Sequence, residues 1–105
     1  LLAHAPAALR ERVLAAPLRR MSRETVTDAS ELRHILTRIR RDGYVIAPGS
    51  IETVSTGVAV PVREEGEVIA ALSVVLPREA DAELALSPLR KAAAEIEAGL
   101  RATRA

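Results

Sequence analysis

The spacing of apolar residues changes period along this chain, and each change predicts a different element. Leu9, Val13 and Leu14 recur at helical spacing between Pro6 and Pro17. Pro6 suits a first helical turn, where its missing N–H would have no partner, so a helix is expected over Ala7 to Ala16. The pattern breaks from Leu18 to Thr27, where Thr25-Val26-Thr27 reads as a short extended piece. Leu32, Ile35, Leu36 and Ile39 then fall at i, i+3, i+4 and i+7 behind an N-cap at Asp28 or Ser30, and Gly43 stops this second helix. Its opposite face carries Arg33, Arg38, Arg40 and Arg41.

Past Gly43 the period shortens. Tyr44-Val45-Ile46 is β-prone and Pro48-Gly49 marks a turn. Val58, Val60 and Val62 alternate with Ala59, Pro61 and Arg63, and Glu64-Glu65-Gly66-Glu67 makes a polar turn. Val68 to Leu76 returns as a second strand, giving an antiparallel hairpin. The returning strand is apolar on both faces, which predicts cover on both sides. Pro61 cannot donate to a ladder and calls for an edge or a bulge there. After a charged linker, Ser87-Pro88 reads as an N-cap and first helical residue ahead of a long helix with Leu89, Ala93, Ile96 and Leu100 on one stripe.

The order helix, helix, short strand, hairpin, helix predicts an α+β domain, an antiparallel sheet with packed helices. A sheet this small is usually completed by further strands, expected before Leu1 or from another subunit. The start at Leu1, inside a helical pattern and without an initiator Met, is what a fragment would show.

Composition narrows the function. With 105 residues, 49% hydrophobic and 28% charged, the chain is sized for one domain or part of one, with a core. Tyr44 is the single aromatic residue, which removes base-stacking platforms and aromatic cages. The absence of cysteine removes disulfides, thiol nucleophiles and thiolate metal sites. No apolar run approaches the roughly 18 residues of a membrane helix, and a soluble, cytoplasmic protein is expected. A formal charge of +1, with 15 basic and 14 acidic residues interspersed, gives little pull on nucleic acid.

The chemistry-bearing residues are few. His34 reads as a partly exposed helix histidine, and His4 sits at a helix entrance. Glycines are scattered singly, so no phosphate loop forms, and no carboxylate or histidine cluster has metal-ligand spacing. Nothing supports an enzyme. Ser73 stands out as a hydroxyl on an apolar strand, which needs a backbone partner or a polar ligand in a pocket.

Four segments in order carry a family resemblance: Thr27-Asp28-Ala29-Ser30-Glu31-Leu32, Ile39-Arg40-Arg41-Asp42-Gly43-Tyr44, Gly57-Val58-Ala59-Val60-Pro61-Val62 and Val68-Ile69-Ala70-Ala71-Leu72-Ser73-Val74. Together with Leu1-Leu2-Ala3 and the proline and helix that follow, they resemble the C-terminal effector-binding domain of IclR-type bacterial transcription regulators over essentially the whole chain. The resemblance implies a GAF-like effector domain with a small-molecule pocket, in a protein whose N-terminal winged helix-turn-helix binds DNA. Residues 1–105 would be the C-terminal portion of that effector domain, without the DNA reader. In the family pattern G-x-x-x-D-x-x-E-x-x-x-x-x-x-C, Gly43 matches, while Ala47 stands at the acidic position, Ser50 at the Glu and Gly57 at the Cys or small residue. Ser73 matches the first of two alternating positions that face the effector in relatives binding small carboxylic acids, and Val75 replaces the polar residue usual at the second.

These readings together predict a pocket over a hairpin face of Gly57, Ala59, Ala71, Ser73 and Val75, with Ala47 and Ser50 on the loop that covers it. The pocket would be more apolar than that of relatives, with Glu52, Thr53, Ser55 and Thr56 as sources of replacement polarity. The resemblance implies an effector-sensing, non-enzymatic domain without cofactor or metal. Its expected partners are a small organic effector such as a carboxylic acid, further copies in a dimer or tetramer, and operator DNA only through the missing N-terminal domain. The alternative is a GAF-like assembly module that has lost ligand binding.

Overall fold

In the computed structural model, which describes residues 1–104, three helices and a three-stranded antiparallel sheet follow one another. Helix α1 spans Ala7–Ala15 and α2 spans Ala29–Asp42; strands β1 (Val45–Pro48), β2 (Ser55–Glu64) and β3 (Glu67–Pro77) come next, and α3 (Leu86–Arg104) closes the chain. The Asp28 carboxylate accepts from the Glu31 amide at 3.0 Å, capping α2, and Gly43 takes the left-handed conformation (φ 75°) that ends it. Thr25-Val26-Thr27 is not a strand; it belongs to an irregular strap between α1 and α2 whose hydrogen bonds run to loops instead of to a sheet. Helix α3 starts one residue before Ser87. A short 3-10 turn over Ala82–Ala85, capped by the Asp81 carboxylate on the Glu83 amide at 3.2 Å, leads straight into it, so Ser87 is not the cap. Pro88 still lies in the first turn, where its missing N–H costs nothing.

The strand order is β1-β2-β3. A two-residue turn with positive φ at Glu65 (52°) and Gly66 (83°) joins β2 to β3, the pairing that matches the twist of adjoining strands. Pro61 is tolerated because β1 accompanies β2 only as far as Ala59. Between Val62 and Arg63 the register slips by one, leaving Ile69 out of the pairing.

One face of the sheet makes the core. Val58 (0% exposed), Val60 and Val62 of β2 pack against Leu89 and Ala93 of α3, flanked by Ile46, Leu72, Val74 and Leu76. Fully burying one such valine stabilises by about 1.5–3 kcal/mol. At the margin the Arg90 guanidinium lies over the Tyr44 ring, 5.2 Å from its centre. The expected stripe of α3 is met at Leu89, Ala93 and, at the edge of the core, Leu100, while Ile96 turns outward at 43% exposure. A smaller cluster of Ala3, Leu14 and Leu36, with Leu32 and Ile39 beside it, joins α1 to α2. The principal extents of 45 × 36 × 19 Å are those of a plate about two layers thick.

The other face of β3 is not covered, contrary to the two-sided cover expected from its composition. Ile69 is 50% and Val75 73% exposed, and Ala71 and Ser73 are exposed beside them. The reason is chain order: α3 crosses one side of the sheet, while the apolar stripe of α2 is spent largely on α1 and on a 3-10 turn over Leu2–His4.

Candidate functional site

Cross-strand partners share a face, so the register decides which side chains meet. Ala47 pairs with Gly57 and Gly57 with Val75; Ala59 pairs with Ser73 and Pro61 with Ala71. Ala47, Gly57, Ala59, Ala71, Ser73 and Val75 therefore stand together on the face turned away from α3. Ala47 reaches it from strand β1 and not from a covering loop, which is a correction to the expected placement; Ser50 is in the loop after β1. At Gly57 a Cβ would meet nothing within 4 Å, so the middle of this face is open.

Of the six residues on this face, Ala47 also lines a groove of about 750 Å³ between α2 and β1. Leu32, Ile35 and Ile39 of α2 form one wall; Val26 of the strap and Ile51 of the β1–β2 loop are the apolar part of the other. Ser50 adds a hydroxyl and Thr25 one that it donates to the Ser50 carbonyl, while the charges are those of Arg38 and Arg41 and of two carboxylates, Asp42 beside Arg41 and Glu24 beside Arg78. Of α2's arginines, Arg33 pairs with Glu11, Arg40 donates to the Ala3 carbonyl at 3.2 Å and Arg41 contacts Asp42 at 3.1 Å. The groove can thus take an apolar body of small-molecule size with an anionic or hydrogen-bonding end.

Several polar residues do not behave as the sequence suggested. Ser73 is exposed, so water satisfies its hydroxyl and no buried partner is needed. Thr56 is buried at 4% in a register with Pro48 and Leu76, on the core side, and cannot add polarity to the open face. Ser55 lends its hydroxyl to the Glu52 carbonyl at 3.4 Å, and Thr53 lends its carbonyl to Arg78 at 2.9 Å. His34, by contrast, is the exposed helix residue that the sequence suggested.

His4 occupies a place that its sequence context gave no reason to single out. It lines a small cavity of about 30 Å³ with Ala59, Pro61 and Ala71, at the far end of the open face, and its buried Nε2 has no hydrogen-bond partner among the described residues. Burial, then the charges of Arg63, of the amino group of Leu1 and of Arg40, hold this imidazole below its ordinary value. The groove residues that sequence reasoning missed come from the strap, Thr25 and Val26 above all, which carries no periodic signal. Among the described residues no group of three or more His, Asp or Glu is placed to hold a metal ion, and no helix is long and apolar enough to cross a membrane.

Residues 1–98 match the family model described as the C-terminal domain of bacterial IclR transcriptional regulators. Among solved structures, the chain is 54% identical to an IclR homolog from Microbacterium sp., covering 97% of this chain and 43% of that one with a TM-score of 0.93. It is also 54% identical to an IclR homolog from Microbacterium hydrocarbonoxydans complexed with 4-hydroxybenzoate (TM-score 0.95; 97% and 42% covered). A double mutant of the PobR inducer-binding domain from Acinetobacter, in complex with 3-hydroxybenzoic acid, is 26% identical with a TM-score of 0.81, over 91% of this chain and 59% of that one. The chain thus spans less than half the length of the two Microbacterium proteins. No curated protein sequence matches it at a significant level.

Proposed function

Because the chain belongs to the IclR family of bacterial transcription regulators, we propose that it is the C-terminal portion of an effector-binding domain that senses a small aromatic carboxylic acid. The carrying observation is the juxtaposition of an open, small-residue sheet face with an apolar groove bearing hydroxyls and cations at its edge. An aromatic ring is flat and apolar and fits over Gly57, Ala59 and Ala71; its carboxylate needs donors, which Ser73 offers from the face and Arg38 or Arg41 from the groove. Ala47, Ser50 and Val75 complete the proposed site, and the hydroxybenzoate complexes of two relatives support this ligand class.

In this reading the domain is non-enzymatic and acts in the cytoplasm. The effector binds two arrangements of a dimer or tetramer unequally, and so biases DNA readers carried on a winged helix-turn-helix elsewhere in the full protein. Titration calorimetry of the full-length regulator with 4-hydroxybenzoate and with the neutral 4-hydroxybenzamide tests it. Saturable binding of the acid and much weaker binding of the amide is the expected result. No heat from either, or from other benzoates, favours an assembly module without a ligand.

A further inference from the structure

The strap between α1 and α2, residues 17–28, contains neither helix nor strand, yet its middle is held by segments distant in sequence. Glu24 Oε2 and Oε1 accept from Arg78 Nη1 and Nη2 at 2.6 and 2.7 Å, and the same Nη1 donates to the Thr53 carbonyl at 2.9 Å. The Ser22 hydroxyl donates to the Gly49 carbonyl and the Thr25 hydroxyl to the Ser50 carbonyl. One ion pair and two hydroxyls therefore join the strap to the β1–β2 loop and to the residue that follows β3.

Two features mark this as a fitted joint and set it apart from ordinary surface pairs. The first is the two-pronged guanidinium-to-carboxylate geometry, which fixes both side chains in orientation as well as distance. The second is Gly49, buried with φ 69°, where a Cβ would stand 2.2 Å from Glu24 Oε2 and 2.8 Å from Arg78 Nη1. The loop backbone lies directly against the ion pair, so a side chain at this position would have to push the Glu24 carboxylate and the Arg78 guanidinium aside. Glu24, Thr25 and Val26 on the strap and Ser50 and Ile51 on the loop all line the groove opposite α2.

We propose that Glu24 and Arg78 are positioning residues for the ligand groove: their ion pair clasps the strap to the β1–β2 loop, so that Thr25, Val26, Ser50 and Ile51 form one ordered wall. This rests on the groove's being part of the effector site. Without the clasp, the hydrogen bonds left between strap and loop among the described residues are those of the two hydroxyls. A ligand would then have to order the wall as it binds, at an entropic cost that shows as faster release.

The test uses the full-length regulator and the variants Arg78→Gln and Arg78→Lys, which leave the strap's own sequence intact. Two quantities are read: the rate of tryptic cleavage after Arg19 and Arg20 in the strap, and the stopped-flow dissociation rate of 4-hydroxybenzoate. Arg78→Gln should raise both several-fold, and Arg78→Lys, which keeps the charge but loses the fork, should fall between it and the wild type. Unchanged cleavage in Arg78→Gln overturns the clasp. Faster cleavage with unchanged ligand release overturns the claim that the strap is a wall of the ligand site. If the wild-type protein binds no hydroxybenzoate, the effector reading fails on its own, and the cleavage comparison still decides whether the clasp exists.

Discussion

Ser73 and Gly49 show how differently two small residues constrain this molecule. Ser73 is free in solvent on the open face, so its removal should leave the fold intact. Ser73→Ala is expected to weaken a bound aromatic acid by about 1 kcal/mol, the worth of one hydrogen bond, with an unchanged urea midpoint. Val75→Ser restores a donor on the same face, and calorimetry over a series of benzoates should show preference moving toward the more polar acids. Indifference of affinity to both changes would place the ligand elsewhere. Gly49 is the opposite case. Its left-handed backbone disfavours any Cβ, and the atoms nearest to that Cβ belong to the ion pair. Gly49→Ala should therefore lower stability by about 1–2 kcal/mol from backbone strain and loosen the strap as well, which chemical denaturation and proteolysis read separately. Equal stability of Gly49→Ala and wild type would mean that the loop can relax away from Glu24.

The elements were legible where a periodic pattern made them and illegible where a single contact did. Leu32, Ile35, Leu36 and Ile39 mark α2 and Asp28 marks its start, because amphipathic spacing and capping are local properties. The common face of Gly57, Ser73 and Val75 was legible for an incomplete reason. A two-residue turn pairs Glu64 with Glu67, and seven residues on in each strand would set Gly57 opposite Val74, with Ser73 facing the core; the slip at Ile69 moves the partner to Val75. Burial of Leu72, Val74 and Leu76 drives that slip, since core contact outweighs one unpaired residue. Deleting Ile69 should accordingly leave both the turn and the pairing of Ser73 with Ala59 in place, as a ladder without a bulge, and change the urea midpoint little; a sharply lowered midpoint would mean that the sheet needs the bulge itself. The strap left no trace in the pattern because polar contacts to distant loops have no period. Its Glu24 carboxyl is held below the usual carboxylate value of 4.5, first by the hydrogen bond from Arg78 and also by the charges of Arg78 and Arg23. A depressed carboxyl stabilises the folded state fully above its unfolded value and loses that contribution as pH falls through the folded one. Strap amides, Thr25 among them, should thus lose exchange protection below about pH 4, after correction for intrinsic rates. Protection that persists to pH 2 would show that the carboxylate is not what holds the strap.

At the scale of the whole chain, the plate has one satisfied face and one open face. Val58, Val60 and Val62 are sealed by α3, while Ile69 and Val75 stand 50% and 73% exposed on β3, whose outer edge has no strand beside it among the described residues. Contiguous apolar surface next to a free strand edge favours association, since pairing would satisfy backbone groups and remove apolar area from water together. The charge balance points away from a nucleic-acid partner for this surface: with a formal charge of +1 the chain releases few counterions on binding DNA, and residues 1–105 alone should not retain a labelled operator specifically. They should instead associate with one another. Sedimentation velocity of residues 1–105 at micromolar concentration is expected to show dimers or larger species, and Ile69→Lys, which puts a charge on the exposed edge strand, should shift the distribution toward monomer. Ile69 takes no part in the strand register and packs against nothing in the core, so the substitution should not disturb folding. A compact monomer in the unmodified chain would mean that the open face is stable in water. The proposed oligomer would then have to be built from other parts of the regulator.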